Sequence, residues 1–272
     1  MLRMTNWRQQ GSIWQLRPSR PQGLVEFIGG SYLAATPQVS YRRLLETLVV
    51  SGFAVHAWAF VPGFDHQNQA QQAWKDLRRA RRRLEERIGA LPSPTRVGHS
   101  LGCKLHLLAP DGGRGCGSFI ALSFNNFQAD RSIPLLGEIA PRLGMETEFS
   151  PSPKETLRLI QSHYLQQRNL VVRFGSDELD QSDDLISSLR ERHEDASEFR
   201  HLPGDHLTPA SAGLRRNLLG AWAESSNRQR QIERLQDLIV TWATHKSATH
   251  KSATHESSST PPDGSRRGSH QE

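Results

Sequence analysis

Residues 95–105 form an apolar run that breaks at Gly98-His99-Ser100-Leu101-Gly102 and resumes as Cys103-Lys104-Leu105. No other stretch restricts the fold as tightly. The pattern predicts a strand, a sharp turn and a helix, with a serine held between two glycines. Such a turn strains the serine backbone, and a side chain larger than hydrogen at Gly98 or Gly102 would collide with the adjacent strand or helix. Ser100 Oγ is thereby lifted above the edge of a sheet. The helix that follows aims its free N–H groups and the positive end of its dipole at any anion forming beside that oxygen. A G-x-S-x-G spacing also arises by accident, so the flanking sequence must supply the matching parts.

The flanks alternate between strand and helix patterns. An apolar strand over 24–28 ends in Gly29-Gly30-Ser31-Tyr32, where paired glycines let the backbone approach a ligand and present N–H groups. A helix is expected over 39–50, stopped by Gly52, then a nearly continuous apolar strand over 53–60 of the kind found at the centre of parallel sheets. The loop with Asp65 and His66 leads into an amphipathic helix whose apolar positions are Ala70, Ala73, Leu77, Ala80, Leu84 and Ile88. Beyond the serine turn, strands are expected over 118–124, running into Asn125 and Asn126, over 170–174 and over 198–202. Helices are expected over 182–192, 210–223 and 229–242, and residues 12–16 suit an edge strand. The prediction is an α/β fold, a mostly parallel sheet of about six to seven strands with helices on both faces.

Between residues 125 and 168 the alternation stops. One short helix is expected around Leu135, Leu136, Ile139 and Leu143. A second begins at Ser152-Pro153-Lys154-Glu155, with an N-cap serine, a proline at the first position and a capping-box glutamate. An insertion this long in a compact domain suits a lid or binding element. Residues 1–243 are therefore expected to form one domain with a helical lid insertion at about 125–168. Residues 244–272 repeat and then degenerate into Ser, Pro and Gly, the composition of a disordered tail whose His245, His250 and His255 need not meet at a metal.

Composition narrows the partners. The net charge of +6 concentrates on one helix, where Lys75, Arg78, Arg79, Arg81, Arg82, Arg83 and Arg87 outnumber Asp76, Glu85 and Glu86. No aromatic residues interleave with the arginines as nucleic-acid stacking would need, so a solvated outer face is expected and no nucleic-acid partner. Peripheral contact of residues 78–87 with an anionic membrane is the weaker alternative. The longest apolar runs fall far short of the roughly 20 residues that span a bilayer. Residues 1–20 lack the apolar core of a signal peptide, and Cys103 and Cys116 are the only cysteines, so a cytoplasmic location is expected.

A serine hydroxyl needs a base to take its proton, and that base needs a carboxylate to orient it. In this topology they should follow in the order serine, acid, histidine. The chain supplies Ser100, then Asp177 past one strand, then His206 past the last, all on the carboxyl-end edge of one sheet, where open parallel sheets bind ligands. Asp180 is an alternative acid. The oxyanion donors are expected at the N–H of Leu101 and in the loop of Gly30 and Ser31. Tyr32, Asp65, His66, His99, Asn125 and Asn126 are the candidate pocket residues.

From about residue 23 to 223 the chain resembles the α/β-hydrolase superfamily. The stretches Val25-Glu26-Phe27-Ile28-Gly29-Gly30-Ser31-Tyr32, Pro62-Gly63-Phe64-Asp65-His66, Gly98-His99-Ser100-Leu101-Gly102 and Pro203-Gly204-Asp205-His206 are similar to a domain-of-unknown-function family, DUF1350, of cyanobacteria and plant plastids. The superfamily resemblance implies Ser100 as nucleophile, His206 as base and Asp177 as its orienter. It departs in one place, since many α/β-hydrolases carry His-Gly after the oxyanion strand and this chain has Gly29-Gly30. Two functions follow as expectations: a serine hydrolase acting on a small ester, thioester or related acyl substrate without metal or organic cofactor, or a catalytically silent scaffold binding a small molecule or protein.

Overall fold

Among the described residues eight strands share one sheet: β1 (Arg8–Gln10), β2 (Ile13–Leu16), β3 (Gly23–Ile28), β4 (Phe53–Trp58), β5 (Thr95–His99), β6 (Ser118–Leu122), β7 (Asn169–Phe174) and β8 (Glu198–Leu202). Their order across the sheet is β1-β2-β4-β3-β5-β6-β7-β8. The computed structural model describes residues 6–127, 148–210 and 226–245. Strands β3 to β8 run parallel, whereas β1, β2 and β4 join through antiparallel pairs. The chain moves outward from β3 to β4, then returns past β3 to lay down β5. The ends of β3 and β5 therefore mark the point where the winding reverses, the usual ligand-binding crevice of such sheets.

Among the described residues seven α-helices cover the sheet: α1 (Pro37–Ser40), α2 (Arg42–Val50), α3 (His66–Ile88), α4 (Leu101–Leu107), α5 (Pro153–His163), α6 (Ser182–Arg190) and α7 (Ser226–Thr244). Alternate strand residues serve opposite faces. Val25, Phe27, Val55, Val97, Ile120 and Val172 pack under Leu44, Leu45 and Leu48 of α2 and Leu235, Ile239 and Trp242 of α7. Ile28 and Trp58 meet α3 and α4, while Phe119, Ala121 and Val171 meet α4, α5 and α6. Every residue of β3, β4, β5 and β6 is buried. That explains their near-continuous apolar pattern, each large side chain contributing about 1.5–3 kcal/mol on burial.

Two details differ from the sequence reading. The sheet has eight strands rather than six or seven, because the wholly exposed Arg8–Gln10 segment, which has no apolar alternation, pairs with Ile13–Leu16 and displaces it from the edge. The helix expected over 39–50 is broken at Tyr41, whose backbone leaves helical geometry (φ −116°, ψ 18°) and whose side chain is 1% exposed. The capping expected at Ser152 is present, Ser152 Oγ accepting from Glu155 N at 3.4 Å. The helix expected around Leu135 and Leu143, most of that over 210–223 and all but the first two residues of the 244–272 tail lie outside the described residues. Among the described residues no helix is long and apolar enough to cross a membrane.

Candidate active site

Ser100 occupies the turn between β5 and α4 with φ 54° and ψ −121°, a left-handed conformation costing about 1–3 kcal/mol for a non-glycine residue. Close packing enforces it. A Cβ on Gly98 would lie 2.6 Å from Cys103 N and Cα, and one on Gly102 would lie 2.1 Å from the Ile28 carbonyl oxygen. These contacts are with backbone, which cannot swing aside, so both flanking positions require glycine. The turn is tied to the sheet by Ser100 N–H donating to Leu122 O at 2.9 Å.

The loops after β7 and β8 bring an acid and a histidine to the same point. Ser176 N–H donates to Gly204 O at 2.9 Å, joining the two loops. His206 Nε2 lies 3.1 Å from Ser100 Oγ, and His206 Nδ1 lies 2.8 Å from Asp177 Oδ2. Burial alone would raise the Asp177 carboxyl; its hydrogen bonds, that to His206 foremost, hold it below the ordinary value. An ionised Asp177 accepts a proton-bearing Nδ1, which leaves the Nε2 lone pair facing the serine hydroxyl. Asp180 stands elsewhere. Its Oδ1 accepts from Ser182 N at 2.7 Å at the entry to α6, and burial raises its carboxyl to about 6.

Behind the serine runs a second chain of hydrogen bonds. Gly30 N–H donates to Tyr41 Oη at 2.7 Å, Tyr41 Oη lies 2.8 Å from His99 Nδ1, and His99 Nε2 lies 2.8 Å from the His206 carbonyl oxygen. The carbonyl can only accept, so His99 carries its proton on Nε2 and takes the Tyr41 hydroxyl proton at Nδ1. Burial pushes His99 down to about 3, keeping the ring neutral. Two expectations change as a result. Gly30 N–H is engaged by Tyr41 and leaves the set of oxyanion donors, and His99 lies behind the site rather than lining its cavity.

The same packing accounts for Gly29-Gly30. A Cβ on Gly29 would sit 2.5 Å from the Tyr41 ring, and one on Gly30 would sit 3.0 Å from Ser100 Cβ. Two glycines bring the end of β3 against the serine turn. The N–H groups of Leu101 and Ser31 form no hydrogen bond among the described residues.

Ser31 and Leu101 open onto a cavity of about 240 Å³ that Tyr32, His66, Asn125 and Asn126 also line. Asp65 does not reach it; its Oδ1 caps α3 by accepting from Asn68 N at 2.8 Å. Sequence reasoning missed Tyr41, which looked like one more apolar helix position, and Lys104 and Phe149, both on the cavity wall. Lys104 was signalled only by its place in the apolar helix after the serine. Among the described residues no three His, Cys, Asp or Glu side chains converge as a metal site would need.

The family model described as "Protein of unknown function (DUF1350)" matches residues 6–244. The chain belongs to this family. No curated protein matches it. Among solved structures, this DUF1350 protein is similar to carboxyl esterase 2 of the mycorrhizal fungus Tuber melanosporum, at 15% identity over 85% of this chain and 82% of that one, with a TM-score of 0.59. It is also similar to the Staphylococcus aureus S-formylglutathione hydrolase FrmB, at 15% identity over 89% and 97% of the chains and TM-score 0.55. A third likeness is to FphF, a fluorophosphonate-binding serine hydrolase of Staphylococcus aureus, at 14% identity over 90% and 99% and TM-score 0.56. At these identities the likeness concerns the fold, and the DUF1350 protein has the α/β-hydrolase fold.

Proposed function

We propose that this DUF1350 protein is a serine hydrolase that cleaves an ester, thioester or related acyl bond. The reading rests on the unbroken path from Asp177 Oδ2 through both nitrogens of His206 to Ser100 Oγ, at 2.8 and 3.1 Å. Ser100 attacks the acyl carbon while His206 Nε2 takes the hydroxyl proton, and Asp177 stabilises the imidazolium that forms. The N–H groups of Leu101 and Ser31 hold the oxyanion of the tetrahedral intermediate. His206 then gives its proton to the departing alcohol or thiol, leaving an acyl group on Ser100. Water, deprotonated by the same histidine, releases the acid and restores the serine. The esterase and hydrolase names of the structural neighbours agree with this chemistry.

The deciding experiment is labelling with a fluorophosphonate, read by intact mass. Stoichiometric adduct on the native protein, absent from Ser100→Ala and His206→Ala, is the expected result. No adduct on protein shown to be folded by circular dichroism would sink the hydrolase reading in favour of a binding scaffold.

A further inference from the structure

Lys104 is 1% exposed, and among the described residues its Nζ makes a single hydrogen bond, to Pro151 O at 3.0 Å. An ammonium has three donors, and no carboxylate lies within ion-pairing distance of this one among the described residues. A buried charge left so poorly partnered is costly unless something else completes it. Beside it stands His66, 2% exposed, whose ring nitrogens find no partner of good hydrogen-bond geometry among the described residues, the Gly63 backbone being the polar group turned toward the ring. Both side chains face Phe149, the His66 ring tilted by 30° with its centroid 4.3 Å away and the Lys104 ammonium 6.0 Å from the ring centroid. All three line the cavity that Leu101 and Ser31 open.

We propose that this cavity selects acyl groups bearing a second, terminal carboxylate, and that Lys104 and His66 hold that carboxylate. The proposal rests on the hydrolase reading for the word acyl, and on the cavity alone for the anion. Leu101 and Lys104 are three residues apart on α4, on one helical face and roughly 5 Å along its axis, a distance bridged by a few methylenes. Val61, Phe64 and Phe127 supply an apolar wall for those methylenes. The carboxylate would give the ammonium its missing counter-charge and the imidazole a stronger acceptor than the Gly63 backbone. Asn126, also buried on the lining, donates Nδ2 to Pro153 O at 2.9 Å, and its Oδ1, without a partner among the described residues, is an acceptor for the ammonium and offers the anion no donor.

Electrostatics support the geometry. Burial brings the Lys104 ammonium down to about 7, opposed by the more distant Glu155 carboxylate, and burial followed by the Lys104 charge brings His66 down to about 3. A bound carboxylate reverses the first of these, so ligand charge is readable as a titration.

Two arms test the proposal. In Ser100→Ala protein labelled with ¹³C at lysine Cε, the Lys104 resonance, assigned by its loss in Lys104→Met, is titrated with monoethyl glutarate and with neutral ethyl pentanoate. The half-ester is expected to raise the Lys104 titration by at least one pH unit and the neutral ester to leave it in place. Equal effects, or none, overturn the anion site. In the second arm native protein is expected to hydrolyse mono-p-nitrophenyl glutarate at least tenfold better, by kcat/KM, than p-nitrophenyl pentanoate. That ratio is expected to collapse in Lys104→Met and to be partly kept in Lys104→Arg. Turnover of both esters without preference overturns the proposal and leaves the hydrolase reading standing. Absence of turnover and of fluorophosphonate adduct overturns the hydrolase reading, and the titration still decides the anion site.

Discussion

His99, next to the serine in sequence, lies with its Nε2 2.8 Å from the backbone carbonyl of His206, a partner 107 residues away. The bond fixes the height of the His206 loop above the serine turn. Tyr41 fixes the other end of His99 and the Gly30 loop at once, so one hydroxyl sets the spacing of the Gly30 and His206 loops. Tyr41→Phe leaves the Gly30 N–H buried without a partner, at a cost of about 1–3 kcal/mol. It also frees His99 to turn. The expected outcome is a fall in kcat of roughly 10- to 100-fold with KM little changed, because small misplacements of a base are costly in rate. Steady-state kinetics on an activated ester check it, and a change confined to KM would remove Tyr41 from this role.

The two candidate acids separate cleanly. Asp177→Asn presents an amide to His206 Nδ1 and permits the wrong tautomer, with an expected loss of about 10³–10⁴ in kcat. Asp180→Asn, which touches Ser182 rather than His206, is expected to stay within a few-fold of native. The same ester assay on both variants compares them, and the reverse ranking would exchange the two assignments.

Packing around the serine turn predicts a sharp contrast between glycines. Gly102→Ala forces a methyl into the Ile28 carbonyl, 2.1 Å away, and is expected to destabilise by about 3 kcal/mol or more. Gly63→Ala meets only the end of Gln69, at 3.6 Å, and should unfold at the native urea midpoint. Urea titration followed by circular dichroism measures both.

Beneath α3 and α4, the Arg96 guanidinium grips Asp111 with two bonds of 2.9 and 2.6 Å and lies 3.4 Å from Glu26. Arg96 and Glu26 are 4% and 3% exposed. Removing the cation alone strands a buried carboxylate, so Arg96→Met is expected to cost about 3–5 kcal/mol. Adding Glu26→Gln should restore part of that. Chemical denaturation of the single and double variants tests the coupling, and simple additivity would show the pair to be independent.

Stability should depend on pH through Lys104. Its ammonium is lost near pH 7 in the folded chain, against 10.5 for an unburied lysine. Between these values the unfolded state binds more protons than the folded one, so stability rises with pH across that window and is flat below it. Relative to Lys104→Met, the native protein is expected to be weakest at and below about pH 7 and to close the gap by about pH 10. Denaturation midpoints of both proteins at pH 6.5, 8 and 9.5 follow the difference; a gap independent of pH would place the charge outside the core.

The parts of the site carried by local rules were legible from residues alone. Gly98, Ser100 and Gly102 announce the turn because a Cβ at either glycine would strike the backbone of the neighbouring strand or helix, and the strand ends before Asp177 and His206 follow from apolar periodicity and parallel winding. The buried central strands were legible for the same reason. Arg8–Gln10 was not, because an exposed edge strand is defined by its partner rather than by its own pattern. Tyr41, Lys104 and the engagement of Gly30 N–H were not legible either. Tyr41 meets Gly30 and His99 at sequence separations of 11 and 58, and nothing local distinguishes a tyrosine that packs from one that relays a hydrogen bond. The sequence by itself determined the turn, the sheet and the order of serine, acid and histidine, since these follow from backbone sterics and the side-chain period. Only the tertiary structure decided which acid faces the histidine, which N–H groups remain open and which charge is buried, because distance and desolvation depend on groups brought together from distant parts of the chain.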